Sequence, residues 1–198
     1  MRPSREALRG PALPDPSPTR VEALVDLARS GDGEAFGALY EHYVAAIHRY
    51  LYYRVSDQVV AEDLTSETFF RALRSIESFQ WQGKDFGAWL TTIARNLVTD
   101  HFKSSRSRRE VVSDALPERA HPGAGPEAGA LAALTSQRLV TALRQLGPEQ
   151  QDCLVMRFLQ GLSIAETARA MGRTEGAVKQ LQLRAIRGLA KRLPEDLR

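Results

Sequence analysis

The sequence predicts an all-α protein built from two small helical domains that a flexible linker joins. From Val21 onward, apolar residues recur at spacings of three and four, which is the period of an amphipathic helix. No stretch alternates apolar and polar residues for long enough to predict a strand. The helical period fails between Ser107 and Leu131, where the segment HPGAGPEAGA (121–130) concentrates glycine and proline. This break predicts a linker between two helical regions.

Four helices are predicted in the first region. The first begins near Val21 and is stopped by the triplet Gly31-Asp32-Gly33. The apolar period then predicts helices from Phe36 to Leu51, from Gln58 to Ile76 and from Asp85 to Arg106.

The second region is predicted to hold four more helices, because Gly147-Pro148 and Gly161 interrupt its apolar period. Ahead of both regions, the N-terminus is rich in proline and is predicted to be disordered. The predicted segments are a tail (1–20), a first domain (21–106), a linker (107–131) and a second domain (132–198).

The charges are unevenly distributed, although the net charge is only +3 over 198 residues. Residues 57–67 carry four acidic side chains and no basic one, whereas residues 103–109 carry four basic side chains. Residues 173–198 hold seven basic side chains against three acidic ones. One acidic and two basic segments favour a protein partner together with a nucleic acid.

Several classes of protein are disfavoured by the composition. Cys153 is the single cysteine, so it is expected to be buried and inert and cannot form an internal disulfide or a thiolate zinc site. The four histidines have no metal-binding spacing, and no phosphate-binding loop or nucleophile elbow is present. We therefore expect no enzyme activity, no metal and no cofactor. Without an apolar signal core or a membrane-spanning run, the chain is expected to be cytoplasmic.

The segment SIAETARAMGRTEGAVKQLQLRA (163–185) has the pattern of a helix-turn-helix. Ser163 and Glu166 have capping-box spacing, and Gly172 suits the left-handed residue that ends a helix. In the following helix Val178 and Leu181 fall on the inward face with Ala185 and Leu189. The outward face collects Gly176, Lys179, Gln180, Leu183, Arg184 and Arg187.

The outward side chains are of types that read DNA. Glutamine pairs with adenine, leucine contacts the thymine methyl group, and arginine binds guanine or phosphate. An ordinary helical hairpin with a solvated basic face is the alternative, and helical hairpins are common. The short hinge, the capping box and the basic face together favour DNA binding.

Two further motifs carry a family resemblance. AEDLTSETFFRAL (61–73) followed by FGAWLTTIARNLVTDHFK (86–103) resembles the promoter −10 domain of bacterial sigma factors. LGPEQQDCLVMRFLQGLSIAETARAMGRTEGAVKQLQLRA (146–185) is similar to their −35 domain. Since no sizeable segment separates the two, the chain resembles the extracytoplasmic-function (group four) class over residues 36–193.

The resemblance implies an alternative sigma factor that binds core RNA polymerase, recognises the −35 and −10 elements and helps to open the promoter. The implied partners are promoter DNA and the β′ clamp helices and β flap of polymerase, with an anti-sigma protein as a further candidate. The implied location is the cytoplasm, at the nucleoid when the factor is in holoenzyme.

The resemblance also assigns roles to individual residues. The polymerase-binding set is Asp63, Leu64, Glu67, Phe69, Phe70 and Arg71. The −10 set is Gln80, Trp81, Gln82, Asn96, Thr99, Lys103 and Arg106, of which the first three belong to the loop that captures a flipped base. The −35 set is Arg173, Thr174, Lys179, Gln180, Leu183, Arg184 and Arg187.

Three positions depart from the family pattern. Trp81 is not part of the usual loop, and either stacking on DNA or packing on the protein would suit its ring. Gln180 and Leu181 replace a small polar residue and an arginine, which predicts a different −35 sequence.

Two other functions fit parts of the sequence. A helix-turn-helix regulator that acts without joining polymerase explains the second domain but leaves the motif at 61–103 without a role. A protein-binding helical scaffold leaves both basic segments unexplained.

Overall fold

The computed structural model describes residues 18–81, 85–111 and 138–193, and these ranges are helical with no strand. This confirms the all-α prediction. The first domain contains α1 (Pro18–Arg29), α2 (Gly33–Val55), α3 (Gln58–Ser75), a 3₁₀ turn (Ile76–Ser78) and α4 (Phe86–Val111). The second contains α5 (138–144), α6 (Pro148–Leu154), a π-helical turn (Val155–Leu159), α7 (Ile164–Met171) and α8 (Glu175–Ala190).

Aspartates start three of the helices in the first domain. The Asp32 carboxylate accepts hydrogen bonds from the backbone N–H groups of Glu34 and Ala35 at 2.9 and 3.0 Å. Asp57 accepts from Val60 at the start of α3, and Asp85 caps α4 in the same way. A carboxylate at these positions satisfies free N–H groups and complements the helix dipole. Part of the acidic charge in this domain is therefore structural.

The core of the first domain lies between α2 and α4. Tyr50, Leu51, Phe86 and Leu90 are fully buried there. Phe79 joins this core from the segment after the 3₁₀ turn, with its ring centroid 5.4 Å from that of Phe86. The start of the loop between α3 and α4 is thus held by aromatic packing, which directional ring contacts strengthen.

The second domain wraps its four helices around a smaller core. Val155, Met156 and Val178 are fully buried, and Cys153 lies beside them. The π-helical turn continues α6, and the Leu162 N–H then donates to the Met156 carbonyl at 3.0 Å. This compact turn leads the chain directly into the helix-turn-helix.

The two domains pack against each other. Helix α7 lies against α4, and the π-helical turn lies against α2. Hydrogen bonds cross the junction, among them one from the Tyr50 hydroxyl to Asp152 at 2.9 Å. The sequence did not predict this contact, because nothing in the local pattern of α2 or α6 identifies a partner so distant in sequence.

Two helices have ends that differ from the predicted ones. Helix α1 begins at Pro18, inside the predicted tail, since proline is well suited to the first turn of a helix. Helix α4 continues to Val111, five residues into the predicted linker, because no glycine or proline interrupts residues 107–111. The rest of the tail (1–17) and of the linker (112–131) lies outside the described residues.

Candidate nucleic-acid interface

The helix-turn-helix begins and turns as its sequence predicts. The Ser163 hydroxyl accepts from the Glu166 N–H at 3.2 Å, and the Glu166 carboxylate accepts from the Ser163 N–H at 2.6 Å. Gly172 has φ +62°, a left-handed conformation that favours glycine. Thr174 starts α8 by accepting from the Ala177 N–H at 3.2 Å. These local contacts fix the direction in which α8 leaves the turn.

Helix α8 has the two faces that the sequence predicts. Val178 and Ala185 have no exposed surface, and Leu181 is half-buried against the same core. The opposite side is exposed. It carries Gly176, Lys179, Gln180, Leu183, Arg184 and Arg187.

Three successive residues in α8 have three different environments. Gln180 faces solvent, and Leu181 packs on the core of the second domain. The Gln182 side chain accepts a hydrogen bond from Arg157 Nε at 3.0 Å. Gln180 is therefore available to a ligand, whereas Gln182 fixes α8 to the π-helical turn.

Arg173 and Thr174, the first two residues of the predicted −35 set, make contacts within the domain. The Arg173 guanidinium pairs with the Glu149 carboxylate, and both side chains are about half exposed. Thr174 uses its hydroxyl oxygen as the helix cap. Both residues hold the N-terminal end of α8, where a helix attracts phosphate.

The outer side of α4 presents the predicted −10 residues. Asn96, Thr99 and Lys103 are exposed, and the Thr99 hydroxyl donates to the Arg95 carbonyl at 2.9 Å. Arg106 lies in α4, but its side chain is outside the described residues. The described part of this face is polar, with Lys103 as its basic side chain and the exposed Asp100 beside it.

The loop after α3 is only partly described. Gln80 is exposed, and Gln82 lies outside the described residues. The half-buried Trp81 ring meets Phe79 edge-on, with centroids 5.1 Å apart, and its indole N–H donates to Asp26 at 3.4 Å. Of the two alternatives for Trp81, the structure favours packing on the protein.

The outer face of α3 holds most of the predicted polymerase-binding residues. Asp63, Phe70 and Arg71 are exposed, while Leu64 and Glu67 are half-buried. The Glu67 carboxylate pairs with Arg71 Nε at 2.7 Å.

Phe69 requires a correction. It is 5 % exposed and packs under Tyr40, with ring centroids 4.7 Å apart, so it supports this surface from below. The family motif places it in the docking set beside Phe70. Adjacent helical residues point about 100° apart, and in this fold Phe69 faces Tyr40 whereas Phe70 is exposed.

Three residues of this surface were missed. Val59 and Leu73 are exposed apolar side chains on α3, and the Arg74 guanidinium lies 5.6 Å from the centre of the Phe70 ring. Helical spacing from Asp63 and Phe70 could have identified Val59 and Arg74. Clustered apolar side chains with charged neighbours are typical of a protein-binding surface.

Two titratable groups of the core have raised pKa values. Burial raises the pKa of the Cys153 thiol to about 11, so this side chain stays protonated at neutral pH. Burial, with the adjacent Asp152 carboxylate, raises the pKa of Tyr50 well above its ordinary value. In the described ranges no group of acidic, cysteine or histidine side chains could hold a metal ion. None of the helices described there is long and apolar enough to cross a membrane.

A helix-turn-helix whose last helix exposes amide and guanidinium side chains is typical of a DNA-binding protein. The family comparison divides the chain as the fold does, since Sigma-70 region 2 matches residues 39–108 and Sigma-70 region 4 matches residues 136–189. The ECF RNA polymerase sigma factor BldN of Streptomyces coelicolor is 54% identical over 190 residues, which cover 96% of this chain and 72% of that protein. The chain belongs to the ECF RNA polymerase sigma factors.

Solved structures support the fold. CnrH in complex with the cytosolic domain of CnrY is similar with a TM-score of 0.67 at 22% identity, covering 87% of this chain and 96% of that chain. The sigma factor RpoE in complex with the anti-sigma factor NepR from Bartonella quintana has a TM-score of 0.60 at 22% identity, covering 79% and 95%. Both similarities concern the helical fold.

Proposed function

We propose that this sigma factor joins core RNA polymerase through the outer face of α3 and reads its promoter with α8 and α4. The observation that carries this assignment is the division of α8 into a fully buried side and an exposed side with amide, apolar and guanidinium groups. Those three groups match adenine, the thymine methyl group and guanine or phosphate in the major groove. In this proposal α8 selects the −35 element.

In the same proposal, the first domain recognises the −10 element. Asn96, Thr99 and Lys103 are spaced at three and four residues along one side of α4, so they can follow a single strand. Lys103 neutralises phosphate, and the loop around Gln80 receives an extruded base. Extrusion costs a few kcal/mol, so the loop must offer edge contacts in return.

The polymerase-binding surface combines charge with apolar area. Asp63 supplies an exposed carboxylate, and Val59, Phe70 and Leu73 supply exposed apolar side chains. The Asp63 carboxylate can attract a basic partner, while the apolar centre gives the contact its affinity. The β′ clamp helices are the proposed partner for this surface.

An anti-sigma protein is the further partner that we propose. RpoE of Bartonella quintana was solved with such a protein, and it has the same fold as this chain. The exposed apolar side chains of α3 would serve that partner as well as polymerase. The two would then compete for this sigma factor.

The proposal is tested by run-off transcription with core polymerase on genomic fragments, together with a binding titration. Asp63→Lys reverses an exposed charge on α3, and we expect weaker polymerase binding with the fold intact, as measured by circular dichroism. Glu22→Lys makes the same reversal on the exposed side of α1 and is the matched control.

Two outcomes would contradict the assignment. Equal polymerase affinity for the wild type and Asp63→Lys would remove α3 as the docking surface. Sequence-specific DNA binding without any co-purification of polymerase would favour a regulator that acts without joining it.

A further inference from the structure

One arginine in the π-helical turn contacts both helices of the helix-turn-helix. Arg157 Nε donates to the Gln182 side-chain oxygen of α8 at 3.0 Å. A second guanidinium N–H of Arg157 donates to the Leu162 carbonyl, which directly precedes the Ser163 cap of α7. The same guanidinium group therefore contacts the start of α7 and the middle of α8.

The backbone that carries Arg157 is itself held in place. In the π-helical turn the Gln160 N–H donates to the Val155 carbonyl at 3.0 Å, and the Leu162 N–H donates to the Met156 carbonyl at 3.0 Å. Val155 and Met156 are fully buried in the core of the second domain. Turns of this kind are rare and are found frequently at functional sites. Here the turn gives Arg157 a fixed base from which its side chain reaches two helices.

The other contacts that hold the body of α8 on the domain are mainly apolar. Val178 and Ala185 are fully buried, and Leu181 and Leu189 pack against the same core. Apolar burial is non-directional, so it holds a helix on the core more strongly than it fixes the rotation of that helix about its axis. A planar guanidinium group binds its acceptors in a fixed geometry. The Arg157 contacts therefore add the direction that apolar packing lacks.

The contact on α8 lies among the side chains that we propose to face DNA. Gln182 is half-buried, while its neighbours Gln180, Leu183 and Arg184 are exposed. Because these residues belong to one helix, any rotation of α8 moves all of them together. A binding site must hold its side chains within about 0.5 Å and 10–20° of the geometry that binds. A tether at position 182 therefore acts on the whole outward side of α8.

We propose that Arg157 is a positioning residue for −35 recognition, which holds α8 in its DNA-binding orientation before DNA arrives. This inference rests on the proposed function of α8 as the helix that selects the −35 element. A surface that is already ordered binds more tightly, because the free energy of ordering is not subtracted from its contacts. Without the Arg157 contacts, α8 keeps the same outward side chains but must be ordered by the DNA. Affinity then falls by the same factor for every −35 sequence, and base preference is kept.

The proposal is tested with the whole chain in holoenzyme. The probes are a promoter fragment recovered by run-off transcription and the same fragment with −35 substitutions. Arg157→Met keeps the apolar stem of the side chain and removes both donated bonds. We expect binding to every probe to weaken by about two- to tenfold, which corresponds to the net free energy of one hydrogen bond. Arg144→Met makes the same change at an exposed arginine of α5 and should bind as the wild type does.

A contact that only stabilises the domain predicts a different result. The titrations are made well below the melting temperature of each variant, where all of the protein is folded. A loss of stability alone then leaves the affinity unchanged, because the binding-competent fraction stays at one. Unchanged affinity in Arg157→Met, or a loss confined to particular −35 sequences, would overturn the proposal.

Two further variants distinguish positioning from a direct contact between Arg157 and a DNA phosphate. Gln182→Met removes the acceptor on α8 and leaves the Arg157 charge in place, so it should show part of the loss seen in Arg157→Met. The double variant should bind no more weakly than Arg157→Met, because both changes break the same bond. The slope of log affinity against log salt should match that of the wild type. A slope reduced by about one in Arg157→Met, with no loss in Gln182→Met, would assign Arg157 to phosphate instead.

Amide hydrogen exchange in the free protein measures the tether without DNA or polymerase. Arg157→Met and Gln182→Met should speed the exchange of α8 amides by about two- to tenfold. Gln182→Glu keeps an acceptor for Arg157 Nε and should exchange as slowly as the wild type. Equal exchange rates in all four proteins would show that Arg157 does not hold α8. If −35 substitutions had no effect on the wild type, the proposed function and the DNA part of this inference would fail, and the exchange rates would still decide whether the tether exists.

Discussion

The two surfaces that we propose to face DNA are built in different ways. In α8 every feature is local, since the capping box, the left-handed Gly172 and the alternation of Gln180 with Leu181 all lie within one short segment. The loop before α4 depends on distant residues, because Trp81 packs on Phe79 and bonds to Asp26 of α1. A surface on one helix can be changed residue by residue, whereas the loop is sensitive to the core beneath it.

The largest expected effect follows from the dependence of this loop on the aromatic core. Phe79→Ala removes a ring that contacts Trp81, Phe86 and Trp89 and should destabilise the first domain by about 3–5 kcal/mol. Recognition of the −10 element should fall with it, while −35 binding by the second domain is kept. Thermal melts and binding to −10 and −35 probes measure the two effects. Ser78→Ala, at the exposed neighbouring position, is the control. A wild-type melting curve for Phe79→Ala would show that the loop does not depend on the core beneath it.

The second-largest effect tests which side of α8 contacts DNA. Gln180→Ala and Arg184→Ala should each lose about 1–3 kcal/mol of binding at one or two −35 positions, with stability unchanged. Gln182→Ala is the matched control, because its side chain bonds to Arg157 inside the domain. It should lower stability slightly and leave base preference as it is. Altered preference in Gln182→Ala with none in Gln180→Ala would mean that α8 meets DNA in another orientation.

A smaller effect separates phosphate contacts from base contacts. Lys103→Ala should weaken binding to all −10 sequences equally and reduce the slope of log affinity against log salt by about one. The measurement is a fork-DNA titration at several salt concentrations. A sequence-dependent loss with an unchanged slope would show that Lys103 reads a base.

The smallest effect has opposite signs for stability and binding. A Cβ added at Gly176 would meet nothing within 4 Å, so Gly176→Ala should stabilise α8 by up to about 1 kcal/mol. If DNA approaches the backbone closely there, −35 affinity falls nevertheless. Gly37→Ala in α2 is equally open and should stabilise without a change in DNA binding. An unchanged affinity for Gly176→Ala would place the start of α8 away from the DNA.

The sequence predicts the helices and the faces of α8 because both follow from spacing within a single segment. The same reasoning failed for Phe69. The motif predicts that Phe69 lies in a helix, but packing against Tyr40 decides that its side chain is buried. It could not identify the partners of Asp152 at all. Tyr50 and Arg54 lie about a hundred positions away, and nothing in either local pattern points to the other.

The burial of Cys153 has a practical consequence for kinetics. Its Sγ lies 4.0 Å from the Val178 carbonyl inside the second domain, and the thiol has a pKa of about 11. Reagents that modify thiolates can therefore reach it only when α6 and α8 move apart. The labelling rate of this native side chain consequently reports local unfolding of the helix-turn-helix domain, in the same way that amide hydrogen exchange does. That rate follows how often α6 and α8 separate while the rest of the protein stays folded.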